Sequence, residues 1–325
     1  MKKIRRYILI FSVFCSSLIL FMVSAPAYGA ADICVVADRV SGPYEDAFES
    51  FKQEIEKYMP NIHLHHFEEI QSGKLTEKEL ADKIYSHSPD IVFVIGTESA
   101  LFVKKNTKNI PIVFCMVLDP LKTGVIDSFS STGSDGITGV VLDIPPERQF
   151  KILKELFPEF KKLGVMCEKG QNEEFFNTAS EHAGKYGIMM IKKELSKEFD
   201  IKKALASFKN EIDCLWAFVD PFVYNAAYSR TILLFTLRYK MPFVAFSSAY
   251  VKAGALMALE CDYADIGRQA ALQVEELIKG RDIQNIPVQY PEKIDLVINE
   301  RTAGIIGLRL SGEILKKAAK IFGND

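Results

Sequence analysis

The sequence predicts an α/β chain of two similar lobes, each built on a parallel sheet, with a cleft between them. Three observations lead there. From residue 31 onward, short apolar runs alternate with amphipathic stretches, the pattern of βαβ units. The same order of runs then occurs a second time, at a spacing far longer than a solenoid repeat. Between the halves, residues 128–139 are rich in Ser, Thr and Gly, and Asp143-Ile144-Pro145-Pro146 reads as a crossing segment.

In the first half, residues 33–37 are the opening strand. Phe48, Phe51, Ile55 and Tyr58 then recur at helical spacing until Pro60 stops the helix. Residues 62–67 form a second strand. Thr76-Glu77-Lys78-Glu79 is a capping-box start for a helix carrying Leu80 and Ile84. Residues 91–95 are a buried strand leading into a helix that runs to Lys105, and residues 112–117 close the series. In the second half, strands are expected at 163–167, 188–191, 214–219 and 242–246. Helices fall between them at 173–186, around Ile201, Leu205, Phe208 and Ile212 behind Asp200 as a cap, and at 225–239.

The chain has 325 residues. It starts with Lys2, Lys3, Arg5 and Arg6, runs apolar from 7 to 23, and continues with Ser24-Ala25-Pro26-Ala27-Tyr28-Gly29-Ala30. Basic, then apolar, then small is the layout of a secretory signal peptide. A retained membrane anchor is the rival reading, since the run approaches the roughly 18 residues of a spanning helix. Without residues 1–30, Lys+Arg falls from 40 to 36 against 42 Asp+Glu, a net charge of −6. An acidic surface without basic clusters argues against a nucleic-acid partner. Five cysteines remain, an odd number without C-x-x-C spacing. Most sit inside apolar runs and read as buried free thiols.

Open parallel sheets present ligands at the carboxyl ends of their strands, so the loops there are the candidate site. Ile95-Gly96-Thr97-Glu98-Ser99 carries a strand directly into a helix, where unpaired N–H groups suit a carboxylate or phosphate. An ordinary tight turn with helix caps is the alternative. Asp220, after the apolar run 215–219 and before Pro221, reads equally as an anchor for a cationic group and as a turn former and helix cap. Phe222 follows it. Ser41-Gly42-Pro43-Tyr44 lies at the same edge, with Tyr44 placed to stack on a ligand or to pack beside Phe48. His63 and His65 share a strand face but have no evident third ligand, so no metal site is expected. No G-x-G-x-x-G, P-loop, nucleophile elbow or H-E-x-x-H occurs. Neither a catalytic residue nor a cofactor is expected, and the chain reads as a non-enzyme.

Several segments, in collinear order over the mature chain, resemble the ABC-transporter substrate-binding family that includes tryptophan- and phenylalanine-binding proteins. They are Asp-Ile-Val-Phe-Val-Ile-Gly-Thr at 90–97, Asn-Ile-Pro-Ile-Val-Phe at 109–114 before Asp119-Pro120, Gly-Ile-Thr-Gly-Val at 136–140, and Leu-Lys-Glu-Leu-Phe-Pro at 153–158. Further matches are Lys-Leu-Gly-Val at 162–165, Gly-Ala-Leu-Met-Ala-Leu at 254–259, Asp262-Tyr263, Ile-Gly-Arg-Gln-Ala at 266–270 and Leu-Val-Ile-Asn at 296–299. The resemblance implies the type I periplasmic-binding fold: two Rossmann-like lobes joined by three crossovers. It divides the chain into residues 1–30 as leader, 31–142 with 261–290 as lobe I, and 143–260 with 291–325 as lobe II. It also implies a small-molecule ligand, aromatic or carboxylate-bearing, and an ABC permease as membrane partner, with the protein secreted to the periplasm or extracellular face. A sensor module for a membrane signalling partner is the alternative role of the same fold. Ligand contacts implied by the resemblance come from Ser41 to Tyr44, Gly96 to Ser99, Asp119 and Asp220. Where members often carry Ala-Ser-Asp, this chain has Ala245-Phe246-Ser247, so a serine stands where an acid would hold a ligand's amine.

Overall fold

The computed structural model describes residues 31–39, 41–67, 76–129, 136–196 and 201–323. The leader and the Asp200 cap lie outside the described residues. The first sheet has the order β2-β1-β3-β4-β5 and is parallel throughout. Its strands are β1 (Asp32–Ala37), β2 (His63–Phe67), β3 (Ile91–Ile95), β4 (Ile112–Val117) and β5 (Ile137–Val141). Helices α1 (Pro43–Tyr58), α2 (Glu77–Ser86) and α3 (Thr97–Asn106) connect them. Strands β3 and β4, and β1 from Ile33 onward, are uninterrupted apolar runs because helices cover both faces of the sheet. The Thr76 side chain accepts from the Glu79 amide while Glu79 reaches back to the Thr76 amide, so α2 starts on the expected capping box.

β5 is a strand that sequence reading placed partly in a linker. Thr138 and Gly139 dilute its apolar pattern, yet all five of its residues are buried against β4.

The second lobe follows with α4 (Pro146–Leu156), β6 (Lys162–Glu168), α5 (Glu173–Lys185), β7 (Met189–Leu195), α6 (Ile201–Phe208), β8 (Cys214–Trp216), α7 (Ala226–Arg238), β9 (Phe243–Ala245), α8 (Ser248–Ala253) and β10 (Met257–Cys261). Strand β8 stops at Trp216, short of the expected 219, because the chain turns toward Asp220 and Pro221; Val219 there is 43% exposed. The chain then leaves for α9 (Tyr263–Ile278), which packs on α1, β4 and β5 of the first lobe. It returns for β11 (Ile294–Asn299), α10 (Glu300–Ile306), α11 (Gly312–Lys317) and β12 (Ala318–Phe322).

The second sheet, β12-β11-β10-β9-β8-β6-β7, is therefore mixed, with β11 antiparallel to β10. Its geometry follows from the excursion. β10 runs out to the crossing, so the returning strand enters at that same end and must run the opposite way. Where α9 crosses α1, a Cβ added to Gly267 would lie 1.9 Å from the Ala47 carbonyl oxygen, so only glycine lets the two backbones meet.

The three crossings lie side by side. Cys261 at the second donates its thiol to the Leu142 carbonyl of the first, 3.3 Å away. Gln289, just before the third, pairs with the edge of β5 through its amide to the Gly139 carbonyl and its carbonyl from the Val141 amide. Separate apolar cores sit on either face of each sheet, with Trp216 and Phe150 in the second lobe and Phe51 and Phe93 in the first. Filling such positions contributes about 1.5–3 kcal/mol per large side chain. The five cysteines of the described residues are buried and free, as the apolar runs predict. No helix among the described residues is long and apolar enough to cross a membrane.

Candidate functional site

The carboxyl ends of β1, β3 and β4 hold the first lobe's contribution. Asp38, directly after β1, is 5% exposed. Its carboxylate accepts from the Ser99 amide at 2.6 Å, the Ser99 hydroxyl at 2.7 Å and the Glu98 amide at 3.3 Å. The free N–H groups at the start of α3 are thus held by a protein carboxylate. Gly96 adopts φ +108, and a Cβ there would fall 2.2 Å from Asp38 Oδ2. Only glycine permits this close approach. Ser99 is fully buried, while Thr97 is half-buried and Glu98 exposed on the outer side of the loop.

Ser41 is exposed and Tyr44 half-buried. The Tyr44 ring packs partly on the lobe core and carries the Arg39 guanidinium 4.7 Å from its centroid. Burial first, then the nearby Asp38 charge, raises the Tyr44 phenol. Tyr44 is thus a core-edge residue with one ring face under the Arg39 guanidinium.

Asp119, after β4, sits in the left-handed region at φ +45 and is exposed. Its amide donates to Asp143 Oδ2 at 2.7 Å, and its own Oδ1 accepts from the Lys122 amide at 3.1 Å. Two carboxylates therefore adjoin at the first crossing. Burial, partly offset by the Asp119 amide and reinforced by the Asp119 charge, pushes the Asp143 carboxyl up to about 6. Tyr290 stands beside them, raised by burial and then by both carboxylates, and its ring stacks on Phe129 at 5.2 Å between centroids.

Across the seam, Asp220 is 2% exposed. Oδ2 accepts from the Glu168 amide at 3.0 Å and from Asn172 Nδ2 at 3.2 Å; Oδ1 accepts from the Phe222 and Val223 amides at 3.0 and 3.2 Å. Both oxygens carry two donors. The geometry is that of a turn former tying the β6 and β8 loops together; the cap of α7 is Asn225, not Asp220. Phe222 and Phe246 are half-buried and pack against the lobe II core. The Phe246 ring lies 5.8 Å from Tyr224 and 5.2 Å from Tyr250. Ser247 begins α8 without a side-chain cap bond.

The loops of the two lobes meet, since Lys122 Nζ donates to Asn172 Oδ1 at 2.9 Å. A cavity of about 510 Å³ also opens between α1 and the second lobe. Asp46, Glu49, Ser248, Glu260, Asp262 and Asp295 are among its lining residues. None of the ligand contacts expected from sequence lines it; Ser248, the neighbour of Ser247, does. His63 Nδ1 and His65 Nε2 both face Asp32 Oδ1, at 3.4 and 2.9 Å, on the opposite lobe end from these loops. Among the described residues no group of three side chains suits a metal ion.

Sequence reasoning missed Asp38, Arg39, Lys122, Asp143, Asn172 and Tyr290. Asp38 had a usable signal, because it follows an apolar strand just as Asp220 does.

A family model for ABC transporter substrate binding proteins matches residues 56–322. A tyrosine-binding protein from Clostridioides difficile (strain R20291) is 26% identical over 253 residues, 77% of this chain and 72% of that protein. The ligand-free, open structure of a Clostridium difficile substrate-binding protein with adhesive properties superposes with a TM-score of 0.78 at 22% identity, covering 90% of this chain and 99% of that one. A Streptococcus pneumonia ABC domain in complex with L-Trp superposes with a TM-score of 0.62 at 18% identity, covering 90% and 100%. The two α/β lobes are those of the type I periplasmic-binding fold, and the chain belongs to the family of ABC-transporter substrate-binding proteins.

Proposed function

We propose that this protein captures a small aromatic amino-acid-like molecule between its lobes outside the cytoplasmic membrane and delivers it to an ABC permease. The observation that carries the reading is the pair of buried aspartates, Asp38 and Asp220, each fixing the loops at the carboxyl edge of its own sheet. Loops held this way are preorganised, which lowers the ordering cost of capture. In this reading Arg39 offers a cation to the ligand carboxylate, and the Asp119–Asp143 pair at the crossing receives its ammonium group. Tyr44, Phe222, Phe246 and Tyr290 form aromatic walls, while Ser41, Gly96, Thr97, Glu98 and Ser247 line the mouth. Ser99 and Asp220 act one step back, by holding those loops in place. The matching tyrosine-binding relative and the L-Trp-bound neighbour support the ligand class.

The test is native mass spectrometry of protein purified without denaturation, followed by calorimetric titration with L-tyrosine, L-tryptophan and L-phenylalanine. A retained small mass matching one of them, and micromolar or tighter binding of the same compound to stripped protein, is the expected result. Binding of none of the three, with an unrelated molecule co-purifying, overturns the ligand class.

A further inference from the structure

We propose that Lys122, Asn172 and Asp220 form an interlobe latch that draws the lobes together before ligand arrives. The latch rests on reading the cleft as the capture site, and it supplies that site with a regulating contact.

Each end is built. On the first lobe, the Lys122 amide is held by Asp119 Oδ1, and both the Thr123 amide and hydroxyl donate to the Asp119 carbonyl, fixing the turn that presents Lys122. On the second lobe, Asn172 occupies the left-handed region at φ +60, just ahead of α5, and its carbonyl accepts from the Phe176 amide. The Asn172 side chain has one donor end and one acceptor end. Asp220 Oδ2 is acceptor only, so the amide must turn its Nδ2 to Asp220. That leaves Oδ1 facing the other lobe, where Lys122 Nζ donates to it at 2.9 Å.

Asp220 thus has a role that neither a ligand anchor nor a plain turn former describes. It orients the amide that receives the lysine. The lysine stem is exposed and the contact is solvent-accessible, so one such bond biases an opening equilibrium without locking it. A protein whose competent closed state is more populated binds more tightly by that fraction.

The test measures interlobe distance without ligand. The native cysteines are buried, so spin labels go to Lys108→Cys on the first lobe and Lys185→Cys on the second, both exposed positions. Electron–electron double resonance then gives the distance distribution. Lys122→Met removes the ammonium group and keeps the stem; Asn172→Gly removes the amide and tolerates the left-handed backbone. Each should shift the ligand-free distribution toward longer distances, and the double variant should shift it no further, since both break the same bond. An unchanged distribution in Lys122→Met, or additive shifts in the double variant, overturns the latch.

Calorimetry with L-tyrosine forms a second arm. If the wild type binds it, Lys122→Met should weaken binding by about three- to tenfold, and unchanged affinity counts against a latch that matters for capture. If the wild type does not bind it, the assigned ligand class fails while the distance measurement still decides the latch.

Discussion

Asp38 and Asp220 occupy the same place in their lobes, one residue or a few beyond an apolar strand, and each is almost fully buried. Their hydrogen-bond partners are backbone amides and short polar side chains. Three donors hold the Asp38 carboxyl group and four hold that of Asp220. Asp38→Ala leaves the Ser99 amide, the Ser99 hydroxyl and the Glu98 amide without their acceptor in a buried site. Urea denaturation should show a loss of about 2–3 kcal/mol. Asp220→Asn keeps the size but places an NH₂ group among four donors, and should lower stability by about 1–3 kcal/mol. An anchor for a ligand's cation would behave otherwise: Asp220→Asn would retain its melting temperature and lose only affinity. Asp220 stood out in the sequence because an acid follows an apolar run and precedes proline. Its fourfold coordination did not, because Glu168 and Asn172 come from a strand end about fifty residues earlier. Lys122 carried no signal at all, as an isolated surface lysine has no pattern to read.

Secondary elements were most legible where periodicity was strong. β1, β3, β4 and α2 emerged from apolar runs and a capping box. β5 was obscured by Thr138 and Gly139, and the antiparallel β11 was not legible, since direction depends on where the chain re-enters the sheet. The segment from β5 to α4 carries its own prediction. Burial raises the Asp143 carboxyl to about 6, above its value in an unfolded chain. Its protonation therefore favours the fold: that contribution is complete below about pH 4 and is lost as pH rises through about 6. Asp143→Asn should raise stability by about 1–2 kcal/mol near pH 7.5, discounted for partial exposure, and give no gain near pH 4. Thermal melts at the two pH values check it. An equal effect at both would mean that the carboxyl is not held above its ordinary value.

For the molecule as a whole, two sheets with cores on both faces, three crossings bound side by side and a lysine reaching from one lobe to the other describe a hinged pair. The crossings are three short segments tied by Cys261 to Leu142 and by Gln289 to the edge of β5, the places where closure would bend the chain. The helices of each lobe pack on its own sheet, the arrangement that closure as two rigid bodies would need. The repetition of runs in the sequence foretold two lobes and a seam; the contacts that hold the seam are long-range and came only with the fold. In the proposed function the lobes close over a small molecule. Small-angle scattering on stripped protein, repeated at saturation with the molecule that native mass spectrometry finds bound, tests it most directly. The radius of gyration should fall on binding, and an unchanged radius at demonstrated saturation would contradict closure.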